Sequence, residues 1–174
     1  EKDKQSPEEI IKTYSIKDPD IKNALKSIKG HDEKFQKTLK ETKSVLAVFG
    51  SLIATKGTFD RKGKARIFAK GGNVKNYLYN YQYSLGSIPI LEKNSKGLES
   101  INYITQNDAE VRYLSMIMVF NNKLFPSFGL EMIRVGEKKR SIITYLNDNG
   151  IKNISIKPYE FKTDKNSLIW VKYN

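Results

Sequence analysis

The 174 residues include no cysteine and a single histidine, His31. Without cysteine there is no disulfide, no thiolate zinc site, no CxxC redox pair and no cysteine nucleophile. With one histidine, a Ser-His-Asp triad would depend on His31 alone, and most histidine-based metal sites are excluded. No neighbouring motif supplies His31 with a partner, so a solvated surface position is expected. Arginine is scarce: Arg61, Arg66, Arg112, Arg134 and Arg140 are the only ones, so lysine carries most of the formal net charge of +12. Lysine beside abundant asparagine and isoleucine reads partly as coding bias. Arginine is the more informative residue for nucleic acids, so the charge alone is discounted as a sign of them. No apolar run approaches the ~18–20 residues that span a bilayer. The longest, Val45–Ala54, contains Gly50 and Ser51. A membrane anchor is expected upstream of Glu1, where the sequence begins.

The catalytic signatures are missing too. There is no G-x-x-x-x-G-K-[ST], no G-x-G-x-x-G after a strand, no H-E-x-x-H and no G-x-S-x-G. Gly71-Gly72 is a turn signal, and Asp18-Pro19-Asp20 is a helix cap. Glu131 lies in an apolar, strand-like run as a candidate buried carboxylate, with no second acid evident to pair with it. No nucleophile, base or metal constellation is present, so no enzyme and no cofactor are expected.

What remains suits one folded domain with a short extra segment. Hydrophobic residues make up 39 % of the chain, enough for a core without metal or disulfide help. Ser6-Pro7-Glu8-Glu9 starts a helix with a serine cap, proline in the first turn and acids after it, and Asp18-Pro19-Asp20 repeats the signal. From there Ile21, Leu25, Ile28, Asp32, Phe35, Leu39, Thr42, Leu46 and Phe49 follow steps of 4 and 3, a heptad seam interrupted near Gly30-His31. Residues 1–50 are therefore expected to be a helical stalk. It either pairs with another chain or lies on the domain's own sheet.

Residues 51–174 carry a weak internal repeat at an offset of 65. Arg66–Tyr81 and Glu131–Leu146 both read as strand, glycine turn, helix, with Gly71 over Gly136 and Tyr77, Leu78, Tyr81 over Ile142, Ile143, Leu146. After each come two strands. Ser100–Thr105 and Val111–Phe120 join through Gln106-Asn107-Asp108, while Ile154–Phe161 and Ser167–Tyr173 join through Thr163–Asn166. Tyr113–Phe120 is apolar on both faces and belongs centrally, whereas Pro158 marks an edge strand or a bulge. Gly150 is expected to end a helix. Ser51–Phe59 is expected to add a strand hairpinned to Ala65–Ala69. The expected architecture is α+β, a ferredoxin-like α/β sandwich of two βαββ units spanning about 51–121 and 122–174.

Two local features allow a second reading. Tyr77, Tyr79, Tyr81 and Tyr83 alternate. On a helix they flank a Val74, Leu78, Tyr81, Leu85 core stripe, which the repeat favours. On a strand they make a ladder for stacking single-stranded nucleic acid or sugars. The segment Lys56–Lys75 has seven cations against one acid, with Arg61, Lys62, Lys64, Arg66, Lys70 and Lys75 as candidate anion ligands. The plainer reading is a solvated loop.

The helical segment, the tandem βαββ pattern and Lys56-Gly57-Thr58-Phe59 together resemble the inner-membrane alignment proteins of type IV pilus and type II secretion machines, the PilO, PilN and GspM type. In that family a Gly-Thr-aromatic turn follows a strand. The resemblance implies a non-enzymatic periplasmic scaffold, anchored in the inner membrane and forming a homodimer or heterodimer with other envelope assembly proteins. Its interface residues would be Ile21, Leu25, Ile28, Phe35 and Leu39 in the coiled coil and Tyr159 and Phe161 at a sheet edge. The alternatives are a basic nucleic-acid-binding protein and a secreted or surface lipoprotein binding an anionic polymer.

Overall fold

The computed structural model describes residues 4–104 and 110–172, which form two compact units. The first comprises residues up to Ser44 together with Ser87–Lys96, and the second Val45–Gly86 together with the chain from Gly97 onward. The architecture is α+β.

The first unit is helical: α1 (Pro7–Thr13), α2 (Pro19–Lys26), α3 (His31–Glu41) and α4 (Pro89–Asn94). The first two start as their sequences dictate. The Ser6 hydroxyl accepts from the Glu9 amide at 3.3 Å, and the Asp18 carboxylate accepts from the Asp20 and Ile21 amides at 2.8 and 3.2 Å. The Asn94 side chain ties α4 to α3 by donating to Gln36 at 3.1 Å.

The continuous heptad rod is not what forms. Ile21 and Leu25 lie on α2, Ile28 in the connection after it, Phe35 and Leu39 on α3, and Leu46 and Phe49 on a strand. Helices of 7, 8 and 11 residues are too short to carry a supercoiled seam, and Gly30 divides the last two. Beyond Glu41 the β-branched and aromatic run Val45-Leu46-Ala47-Val48-Phe49 finds strand partners, which overrides the heptad spacing.

The second unit holds β1 (Val45–Ser51), β2 (Arg66–Lys70), β3 (Asn80–Tyr81), β4 (Tyr83–Gly86), β5 (Gly97–Ser100), β6 (Tyr113–Ser115), β7 (Ile117–Phe120), β8 (Lys123–Pro126), α5 (Phe128–Gly136), β9 (Ser141–Asn147), β10 (Gly150–Ile156), β11 (Tyr159–Lys162) and β12 (Leu168–Trp170). The sheet orders are β4-β1-β5, β11-β10-β9-β2, β12-β6 and β3-β7-β8. β7 is central and buried on both faces, as its apolar run requires. Ile117 and Val119 face one core with Leu130, Ile142, Ile151, Ile154 and Ile156. Met118 and Phe120 face a second core with Val48, Leu98 and Phe125. Gly50 permits that second core: a Cβ there would sit 2.4 Å from the Phe120 ring.

The two βαββ units are not formed. Residues 73–85 are a 3-10 turn at Val74–Tyr77 followed by β3 and β4, not an α-helix. The Tyr79 and Tyr81 carbonyls are taken by the Val119 and Asn121 amides, both at 2.9 Å, so pairing with β7 wins over helical bonding. In the supposed second copy the order is reversed. Residues 128–136 are helix α5, which starts after Ser127 without a side-chain cap, and the β-branched run 141–147 is strand β9. Gly150 does take a positive φ of 123°, but in the hairpin between β9 and β10. The expected hairpin between 51–59 and 65–69 is absent as well: β1 ends at Ser51, no strand follows it before β2, and β2 pairs in parallel with β9. Pro158 lies in the turn leading into β11, which is an edge strand. The turn expected at Gln106-Asn107-Asp108 lies outside the described residues.

Candidate functional site

β5 and α5 build the most unusual chemistry in the chain. All four residues of Gly97-Leu98-Glu99-Ser100 are buried. β5 runs parallel to β1, so Leu98 pairs with Leu46 and Glu99 with Ala47. Neighbours in a strand point to opposite faces. Leu98 enters the core with Val48 and Phe120, which puts Glu99 on the other face. α5, starting at Phe128, brings Glu131 against this strand. There a Cβ on residue 97 would lie 2.7 Å from a Glu131 carboxylate oxygen, so only glycine fits.

The two glutamates meet different fates. Glu131 is fully buried and gripped by Arg134, whose Nε and Nη2 donate to its two oxygens at 2.7 and 2.6 Å. Arg134 in turn donates to the Lys139 carbonyl at 2.8 Å. Burial pushes the Glu131 carboxyl up, while the guanidinium and the Leu98 backbone amide oppose that rise. Burial prevails, so the carboxyl stays raised despite the forked pair. Glu99 is equally buried, yet neither of its oxygens has a hydrogen-bond partner among the described residues. Desolvation and then the nearby Glu131 charge push its carboxyl up to about 7.

Glu99 lines a cavity of about 800 Å³, with Leu114, Met116, Leu130, Ile133, Phe161 and Ile169 among its apolar walls. Ile101, Tyr103, Leu114 and Phe128 also line it and remain 40–59 % exposed. Clusters of large exposed apolar side chains around a concavity mark binding surfaces. The polar lining is largely spent within the fold. The Asn102 side chain brackets Gly50, donating to its carbonyl at 2.9 Å and accepting from its amide at 2.6 Å, and the Ser115 hydroxyl donates to the Ile117 carbonyl at 2.8 Å. Glu99 is the one charged residue in the described lining. Among the described residues no three His, Asp or Glu side chains cluster closely enough to hold a metal ion.

The chain matches no protein-family model, no curated protein and no solved structure.

The residues singled out by sequence are dispersed. In the first unit Ile21, Ile28 and Phe35 are 50, 56 and 47 % exposed, Leu25 is half-buried and Leu39 is buried. In the second, Tyr159 is exposed on edge strand β11, while Phe161 packs on the main core and lines the cavity. The basic set does not converge. Arg61 is buried, donates to the Ser84 carbonyl and stacks over Phe59 at 3.5 Å. Lys62 and Lys75 line a cleft with Lys123, and Lys75 donates to Asn122. Lys64 is half-buried, and Arg66 and Lys70 lie exposed on β2, with Lys70 over the Tyr145 ring at 5.4 Å. The four tyrosines form no common ladder: Tyr81 packs edge-on to Phe120, Tyr77 packs on the main core, and Tyr79 and Tyr83 are exposed.

The sequence reading assigns Glu99 no role, because nothing near it in the chain marks the helix that buries it. The available signal was a lone acid between Leu98 and Ile101 in a lysine-rich chain.

Proposed function

We propose that this chain is a non-enzymatic binding protein whose second unit takes up a small apolar ligand in the cavity beside Glu99. One observation carries the reading: a concavity of small-molecule size, walled by apolar side chains, whose described lining includes one buried carboxyl, Glu99, with no hydrogen-bond partner among the described residues. Gly129 provides the test, because it lines the cavity and a Cβ there meets nothing within 4 Å. Wild-type protein is expected to bind a neutral naphthalene fluorophore at one site, with a blue shift and enhanced emission. Gly129→Trp is expected to weaken that binding at least tenfold while the far-UV circular dichroism stays the same. Equal binding by both proteins would refute the cavity as the site.

A second reading, an assembly component at the inner membrane with envelope partners, keeps one supporting observation. Ile21, Ile28 and Phe35 are solvent-exposed apolar side chains on the helical unit. It has lost the duplicated module on which the likeness to secretion-machine proteins leaned. No helix among the described residues is long and apolar enough to cross a membrane. If these side chains form a self-association face, sedimentation velocity will show a dimer that the Ile21→Ser, Ile28→Ser, Phe35→Ser triple variant loses. A monomer at high micromolar concentration would count against self-pairing.

A further inference from the structure

Resting on the cavity reading above, we infer that the ligand is an amphiphile with a protonated amine at one end, its ammonium paired with the Glu99 carboxylate and its hydrocarbon lying along the apolar walls.

The argument is one of charge supply. The chain carries 31 lysines and arginines, yet none of them is among the described residues lining this cavity. A fatty acid or a phosphate ester would bring an anion to a wall whose one charged group is a carboxyl. Its head would lose its hydration and gain no counter-charge. A neutral alcohol or amide would gain at most one ordinary hydrogen bond. An ammonium supplies what Glu99 lacks: a cation and up to three N–H donors for two oxygens that have no partner among the described residues.

Glu131 does not compete for the ligand's charge, because the Arg134 fork already occupies both of its oxygens. With Glu99 ionised, the local count is two carboxylates against one guanidinium, and a monocation balances it. Of the other polar side chains in the described lining, the Asn102 amide is held by Gly50, the Ser115 hydroxyl by Ile117 and the Ser100 hydroxyl by the Met118 sulfur, while Ser127 and Tyr103 offer only a hydroxyl.

The test compares three twelve-carbon chains that differ only at the head: dodecylamine, dodecanol and dodecanoate. Each is titrated below its aggregation limit by displacement of the neutral fluorophore, in 0.15 M salt, against wild type, Glu99→Gln and Gly129→Trp. The expected order on wild type is amine, then alcohol, then carboxylate, with the amine at least tenfold tighter than the alcohol. Glu99→Gln, which keeps the shape and removes the charge, is expected to erase the amine's advantage and to leave the alcohol's affinity within about threefold. Gly129→Trp is expected to weaken all three.

An amine that binds no better than the alcohol, with Glu99→Gln changing neither, overturns the head-group inference and leaves the apolar site standing. An amine preference that survives in Glu99→Gln also overturns it, by placing the ammonium elsewhere. Failure of every chain and of the fluorophore to bind wild type overturns both this inference and the reading on which it rests.

Discussion

Arg134→Met is expected to lower the stability of the chain by about 3–5 kcal/mol, the cost of removing one member of a buried ion pair. The pair is closed on both sides. Arg134 is 6 % exposed and Glu131 not at all, and two nitrogens of the guanidinium meet the two carboxylate oxygens. Methionine fills much of the same volume and donates nothing. Glu131 is then left as a buried carboxylate beside Glu99, and it must take up a proton or pull the second turn of α5 away from β5. The Lys139 carbonyl loses its Arg134 donor as well. Urea unfolding followed through Trp170, the single tryptophan of the chain, reads this unit directly. The double variant Arg134→Met, Glu131→Leu is expected to recover most of the loss, because it removes the stranded charge along with its partner. A single variant within 1 kcal/mol of wild type would show that the pair is not closed in solution.

Glu99→Gln is expected to do the reverse and stabilise the chain, by an amount set by pH. In the folded state burial holds the Glu99 carboxyl at about 7, against an ordinary value of 4.5. Between those two values the unfolded chain has released this proton while the folded chain keeps it. Stability therefore falls as pH rises through that window, and this group adds no further slope above or below it. The full loss is about 3 kcal/mol. Glutamine has no proton to lose. The variant should match wild type near pH 4.5 and exceed it by about 3 kcal/mol at pH 8, the difference opening between those limits. The groups that set the shift face Glu99 from α5: the Glu131 carboxylate raises it, and Arg134 is committed to Glu131. Asp60, held low by Lys123, titrates in the opposite sense in both proteins and cancels in the comparison. A gap between variant and wild type that stays constant from pH 4.5 to 8 would mean that Glu99 is solvated.

The parts of the fold legible in the sequence are those fixed by neighbours along the chain. Ser6-Pro7 and Asp18-Pro19 start helices because the cap and the first turn are a few residues apart. Tyr113–Phe120 reads as one central strand because both of its faces are apolar; Ile117–Phe120 is that strand, while Tyr113–Ser115 breaks away as β6 and pairs with β12. Residues 73–85 and 141–147 were illegible for the opposite reason. Their patterns suit a short helix or a strand, and the choice was made by β7 and β2, partners that lie far away in sequence. Glu131 showed as a candidate buried acid, although in the wrong element. Arg134 and Glu99 did not register as its neighbours, because the first is legible only if 128–136 is a helix and the second only if β5 lies against that helix. The cavity has no sequence signature, since its walls come from β1, β5, β6, α5, β11 and β12.

The discontinuous make-up of the first unit governs how this protein can be dissected. Helix α4 belongs with α3, yet the chain reaches it only after β4 and leaves it for β5. A truncation at Ser44 would thus remove three helices and keep the fourth, baring the α4 face that α3 had covered. Fragments intended to isolate either half would report on that damaged seam. A faithful excision of the helical part must also delete Ser87–Lys96 and bridge Gly86 to Gly97 with a short linker.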